Sequence, residues 1–119
     1  MCVKVLLAED AEAVRKAIRI LLSEREDITL VGEAATLSEA MQKTEELRPD
    51  EIIFDLHMAD GAKQHLFAGT KLLAISFAND DEANTLADSI GAARLLDKLE
   101  LASELIPAIL ELAPERAAL

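Results

Sequence analysis

Four short apolar runs in this chain are each followed by polar side chains that suit phosphate chemistry. The acidic pair Glu9-Asp10 follows the first run, and Asp55, Ser76 and Lys98 follow the others. Because the carboxyl ends of parallel strands meet at one edge of a sheet, groups far apart in sequence can converge there. Each interval leaves room for a helical crossover, so the spacing predicts one shared site.

The residue types indicate what such a site could do. A carboxylate can attack phosphorus, and Asp55 is the candidate nucleophile. Mg²⁺ prefers oxygen ligands and keeps several waters, so Asp10 and Asp55 are candidate direct ligands. Lys98 offers a compact positive charge to a phosphoryl oxygen, and the Ser76 hydroxyl offers a hydrogen bond to another.

Each of these residues also has a structural interpretation. An acidic residue after a strand often caps a helix or lies in a solvated turn. Ser76 could bond the backbone, and Lys98 could be a surface charge near the last helix. Their joint occurrence after four apolar runs favours the functional interpretation.

Composition narrows the classes of protein. The 119 residues, 51% of them hydrophobic, fit one domain over 1–119 with a continuous core. A net charge of −11 disfavours direct binding to nucleic acid or to an anionic membrane. The single cysteine excludes an internal disulfide, and no apolar run suits a signal peptide or a membrane span. We therefore expect a cytoplasmic protein.

Other cofactor chemistries have little support. The two histidines, His57 and His65, have no third ligand at metal spacing, and neither lies in a setting that marks a catalytic base. The four glycines form no phosphate-binding loop, which argues against a nucleotide cofactor.

Strands and helices alternate along the chain. The first helix is indicated by apolar spacing, with Arg15, Lys16 and Arg19 turned outward. A capping box starts the second helix at Thr36, and another helix begins near Asn79 and stops at Gly91. Strands are predicted at residues 2–8, 28–34, 52–54, 71–76 and 93–97. The alternation predicts an α/β fold with a doubly wound, five-stranded parallel sheet.

The last helix contains a proline, Pro107, which removes a backbone donor. If Ser103 caps this helix, Pro107 falls near the first turn and costs little. An earlier start predicts a kink.

Over nearly its whole length the chain resembles the receiver domain of response regulators in two-component signalling. Leu-Leu-Ala-Glu-Asp is similar to the first strand and acidic pair of that family, and Asp55-Leu-His-Met to its phosphoacceptor strand end. Ala-Ile-Ser resembles the fourth strand, and Lys98 the lysine of the fifth. Val-Gly-Glu-Ala and Leu-Arg-Pro-Asp resemble the subgroup that usually precedes helix-turn-helix output domains.

The resemblance implies a flavodoxin-like fold and a signalling role rather than an enzyme. It implies Mg²⁺-dependent phosphorylation of Asp55 by a histidine kinase or phosphotransfer protein, with output through contacts with a downstream protein. It also implies that Glu9 acts on Mg²⁺ through a water, and that the His57 backbone carbonyl is a further ligand.

The chain departs from the family pattern between Asp55 and Ser76, where it is more than two helical turns shorter. The third helix should therefore be stunted, with one or two turns around Ala62 to Phe67. The neighbouring sheet face should be partly uncovered, which would favour a homodimer or a bound partner.

Single positions depart as well. Ala59 and Leu99 replace usual prolines, Phe77 could crowd the entrance to Asp55, and Leu95 replaces a usual aromatic readout residue. Two alternatives stay open: a pseudo-receiver that binds partners without phosphorylation, and a small Mg²⁺-dependent phosphatase. The phosphatase has less support, because a second acid is usual two residues after the nucleophile and that position is His57.

Overall fold

A five-stranded parallel sheet forms the centre of the protein. The computed structural model describes residues 2–59, 61–62 and 64–115. The strands are β1 (Val3–Ala8), β2 (Ile28–Ala34), β3 (Glu51–Asp55), β4 (Lys71–Ser76) and β5 (Ala92–Asp97), in the spatial order β2-β1-β3-β4-β5. The helices are α1 (Glu12–Ser23), α2 (Leu37–Leu47), α3 (Asp81–Ser89) and α4 (Leu101–Leu112). The predicted doubly wound, flavodoxin-like architecture is confirmed.

Two apolar layers cover the sheet, because consecutive strand residues point to opposite faces. Val5 and Leu7 of β1 belong to the layer that contains buried residues of α1 and α4. Leu6 lies in the other layer, with residues of α2 and α3. Because apolar side chains cover both faces of the sheet, a polar functional site is expected at the ends of the strands.

Side-chain caps set the starts of two helices. The Thr36 hydroxyl accepts the Glu39 N–H at 3.1 Å, so the predicted start of α2 is confirmed. The cap of α3 is Asp80, whose carboxylate accepts the Ala83 N–H at 2.9 Å, and the predicted start near Asn79 is one residue early. Gly91 follows α3 with a φ of 84°, as a terminating glycine does.

The last helix takes the earlier of the two starts considered. It begins at Leu101 and continues through Pro107 to Leu112. The Ser103 hydroxyl donates to the Glu100 carbonyl at 3.2 Å and is not the cap. Neither α4 nor any other helix among the described residues is long and apolar enough to cross a membrane.

The connection from β3 to β4 differs from the prediction. A 3₁₀ turn, Leu56–Ala59, follows β3 at once, and none of the described residues from 61 to 70 is helical. The helix predicted around Ala62 to Phe67 is therefore wrong for its described residues; Lys63 lies outside them. Left-handed backbone at Phe67, with a φ of 56°, is one physical reason, because that conformation interrupts a right-handed helix.

Two buried side chains of this connection take the place of a helix. Leu66 and Phe67 are 7% and 8% exposed, and the Leu66 N–H donates to the Ile90 carbonyl at 3.0 Å. The Phe67 ring packs edge-on against Phe54 with centroids 5.4 Å apart. The sheet face beneath is fully buried at Ile52, Phe54, Leu72 and Ala74. The expectation of a partly uncovered sheet face is therefore wrong. The argument for a homodimer that rested on this face no longer applies.

Candidate functional site

The end of β1 places Glu9 at the centre of the predicted site. Glu9 is fully buried, and a buried carboxylate usually needs a charged or hydrogen-bonding partner. Its Oε2 accepts the Ala11 N–H at 3.0 Å, and its Oε1 lies 2.8 Å from the Lys98 ammonium. Lys98, directly after β5, therefore reaches across the sheet edge to the first strand.

Asp55 lies at the end of β3, next to β1 in the sheet. It is 2% exposed, and its Oδ1 lies 3.3 Å from the Lys98 ammonium. The same oxygen accepts the His57 N–H at 3.1 Å. One lysine thus contacts two buried carboxylates, and each needs this charge because burial penalises an unpaired ion.

Three carboxylates meet at this edge. Ligand oxygens of Glu9, Asp10 and Asp55 all lie within 4.8 Å of one another, and Asp10 is the exposed member. Oxygen donors in such a cluster fit Mg²⁺, which is held by a few carboxylates and keeps waters on its open side. The residues present therefore fit the predicted ion, with Asp10 and Asp55 as candidate ligands and Glu9 behind them.

The carboxylates influence one another's ionisation. Burial raises the pKa of Glu9, although the hydrogen bond with Lys98 acts in the opposite direction. A hydrogen bond with Glu9 lowers the pKa of Asp10. Like charges this close cannot ionise independently, so a proton in the metal-free cluster favours Glu9 over Asp10.

Ser76 is the last residue of β4, the strand beside β3. Its hydroxyl accepts the Ala78 N–H at 3.0 Å, which holds it at the start of the following loop. It thus sits on the same sheet edge as Asp55, as predicted from strand order. His57 is exposed, and its contact with the site is made by its backbone N–H.

Phe77 stands beside the site. The residue is 62% exposed, and the Lys98 ammonium lies 5.0 Å from the ring centroid, a cation–π distance. Leu95, on β5, is half-buried and packs against the layer beneath α3. Phe77 therefore touches the group that bridges Glu9 and Asp55.

Sequence reasoning missed Arg15, which was expected to turn outward. Its side chain is only 16% exposed, and its Nη1 donates to the Glu9 carbonyl at 2.8 Å. Apolar periodicity describes only which side chains enter the core, so it gave no signal for an arginine turned back to the preceding strand end. A signal lay in the helix start, where Ala11 cannot supply a side-chain cap.

The fold and this cluster define a class of protein: a doubly wound α/β domain with an acidic, lysine-bridged site at the carboxyl ends of its strands. The family model for the response regulator receiver domain matches residues 5–110. The chain belongs to the response regulator receiver domain family of two-component systems.

Individual relatives agree with this family. The chain is 36% identical over 117 residues to the response regulator protein VraR of Staphylococcus epidermidis, covering 92% of this chain and 56% of that protein. An uncharacterized transcriptional regulatory protein of Bacillus subtilis, YhcZ, is 35% identical over 86 residues, which is 66% of this chain and 40% of that protein. The chain thus spans about half the length of the curated relatives it matches.

A solved structure shows the same fold. The signal receiver domain of the putative response regulator NarL from Mycobacterium tuberculosis superposes with a TM-score of 0.82 at 25% sequence identity. The match covers 92% of this chain and 94% of that one. The similarity therefore extends over the whole sheet and its helices.

Proposed function

We propose that this chain is a phosphoacceptor receiver in which Asp55 takes a phosphoryl group from a histidine kinase or phosphotransfer protein, with Mg²⁺ required. One observation carries the proposal: the Lys98 ammonium lies 2.8 Å from Glu9 and 3.3 Å from Asp55 beside an exposed Asp10. This arrangement offers a nucleophile, a cation site and a positive charge at one sheet edge.

The reaction forms one bond and breaks another. An Asp55 carboxylate oxygen attacks phosphorus, a P–O bond forms, and the P–N bond of the donor phosphohistidine breaks with its electron pair returning to the imidazole. Mg²⁺, when bound, would neutralise charge on the transferred group. Lys98 is already in contact with Asp55, so it can follow the developing phosphoryl charge without a long movement.

Ser76 would couple phosphorylation of Asp55 to a change at the protein surface. Its hydroxyl now accepts the Ala78 N–H, and a phosphoryl oxygen would compete for the hydroxyl proton. Drawing Ser76 inward would move the loop that carries Phe77, whose ring rests near Lys98. A downstream protein that contacts this loop could then distinguish the two states.

An apolar groove beside the site suits a protein donor. It has a volume of about 560 Å³ and runs from α1 to Phe77, Lys98 and Leu99. Ile20, Phe77 and Leu99 are 54%, 62% and 76% exposed there. Exposed apolar side chains contiguous with a reactive site favour a macromolecular partner that covers them during transfer.

The direct test is the intact mass after incubation with acetyl phosphate and Mg²⁺. We expect a phosphate-sized gain in the wild type that needs Mg²⁺ and is lost in Asp55→Asn. Asp88→Asn, which removes an exposed carboxylate of α3, is the matched control and should keep the gain. A gain that survives in Asp55→Asn would refute Asp55 as the acceptor.

A pseudo-receiver is the second candidate, and Phe77 favours it. An aromatic ring over the ammonium that must receive the phosphoryl group stabilises the unphosphorylated arrangement. Leu95, in place of an aromatic residue, would also weaken the response to Ser76. Absence of any mass gain, together with no binding of beryllofluoride, would support this candidate over the first.

A further inference from the structure

We propose that Arg15 is a positioning residue for the Mg²⁺ site, acting by holding the peptide bond between Glu9 and Asp10. The inference rests on the proposed function, because it concerns the same ion. Arg15 Nη1 donates to the Glu9 carbonyl at 2.8 Å from the first turns of α1, one helical turn beyond Ala11. Arg15 thus contacts the backbone that joins the two acidic residues.

The planarity of the peptide bond transmits this contact. The Glu9 carbonyl and the Asp10 N–H belong to one rigid unit, so fixing the carbonyl fixes the plane from which Asp10 projects. The Glu9 N–H is held as well, by the Ala34 carbonyl at 3.0 Å. Ala11, which precedes α1, makes no side-chain capping hydrogen bond. The Arg15 contact with the Glu9 carbonyl and the Ala11 N–H bond to the Glu9 carboxylate therefore restrain the backbone at this helix start.

The charge of Arg15 is balanced locally. Its Nη2 lies 2.7 Å from Glu12, and its Nε lies 3.4 Å from Glu33 on β2. The guanidinium therefore adds little net positive charge near the cation site. Removing it would leave Glu12 without this ion pair, whereas Glu33 would keep its two bonds to Arg19. By electrostatics alone, the loss of one positive charge would strengthen Mg²⁺ binding. For Arg15→Ala, the loss of positioning thus predicts weaker Mg²⁺ binding, whereas the loss of positive charge predicts tighter Mg²⁺ binding.

Lysine cannot replace arginine in this role. The three contacts of Arg15 use three nitrogens of one planar fork, and they point to a carbonyl and two separate carboxylates. A lysine ammonium is a point charge that keeps the net charge but cannot span these acceptors. Arg15→Lys therefore removes positioning at constant charge.

Arg19 offers the matched control. It bonds the same Glu33 through two nitrogens at 2.8 Å each, from the next turn of α1. The described contacts of Arg19 do not include Glu9. Arg19→Lys thus makes the same chemical change in the same ion-pair network without touching the peptide between the acidic residues.

The experiment is calorimetric titration of Mg²⁺ into the wild type, Arg15→Lys, Arg15→Ala and Arg19→Lys. We expect the Mg²⁺ dissociation constant to rise by about 10-fold or more in both Arg15 variants and to change by less than about two-fold in Arg19→Lys. Amide hydrogen exchange of the metal-free proteins gives a second measurement. The Ala11 N–H, now bonded to Glu9, should exchange faster in the Arg15 variants only.

Three results would overturn the inference. These are unchanged Mg²⁺ binding in Arg15→Lys, tighter binding in Arg15→Ala, or equal weakening in Arg19→Lys, which would indicate general destabilisation. If the wild type itself fails to bind Mg²⁺, the proposed function fails with the inference. Normal wild-type binding with an indifferent Arg15 overturns the inference alone.

Discussion

At the scale of single residues, Glu51 is the one buried carboxyl group among the described residues that the proposed chemistry does not use. It begins β3, at the opposite end of the strand from Asp55, and is fully buried. Within the described part of the chain, neither of its carboxylate oxygens has a hydrogen-bond partner. Burial, aided by the nearby charge of Asp50, raises the pKa of Glu51 to about 8, although Lys71 acts in the opposite direction. Glu51 is therefore mostly protonated in the folded protein at neutral pH.

This raised pKa makes stability depend on pH. The unfolded chain releases the Glu51 proton near its ordinary pKa of 4.5, whereas the folded protein holds it to about 8. The free energy of unfolding should therefore fall as pH rises between these values. We expect Glu51→Gln, which cannot ionise, to gain stability relative to the wild type by ~3 kcal/mol between pH 5.5 and 8, since one pKa unit corresponds to ~1.4 kcal/mol.

The measurement is urea unfolding followed by circular dichroism, because the chain has no tryptophan or tyrosine. Glu104→Gln, on the exposed side of α4, is the control and should track the wild type at every pH. A Glu51→Gln curve parallel to that of the wild type across this range would show that Glu51 ionises normally.

At the scale of elements, sequence patterns were most reliable where they depend on neighbours along the chain. The Thr36 cap and the terminating Gly91 are local signals, and both are confirmed. Asp55 and Lys98 come together because strand order alone brings their ends to one edge. The β3–β4 connection could not be predicted in the same way, since its course depends on where Phe67 packs.

A substitution at Phe67 can test whether the β3–β4 connection stabilises the sheet face in place of the predicted helix. The buried Phe67 ring packs on Phe54, so Phe67→Ala should lower the free energy of unfolding by ~3–5 kcal/mol through lost burial and a cavity. Gln64→Ala, at an exposed position of the same connection, is the control. Both variants are compared by urea unfolding, and a cost for Phe67→Ala no larger than that of Gln64→Ala would mean the ring contributes little.

At the scale of the whole molecule, the net charge of −11 works against compactness. Cations of any kind should stabilise the fold somewhat, because salt screens repulsion between surface carboxylates. A specific Mg²⁺ site adds a separate contribution, since an ion that binds only the folded state stabilises it by mass action. The two effects can be separated at matched ionic strength.

Mg²⁺ at about 100 times its dissociation constant should stabilise the wild type by ~2.7 kcal/mol, a rise in Tm of roughly 10 °C for a domain of this size. Asp10→Asn removes an exposed ligand candidate from the three-carboxylate cluster and should lose most of that rise. Asp88→Asn makes the same change in net charge away from the cluster and should keep it. Thermal unfolding in MgCl₂ and in NaCl of equal ionic strength measures the difference. An equal rise in both variants would mean that Mg²⁺ acts only through the overall charge, and the acidic cluster would then not be its site.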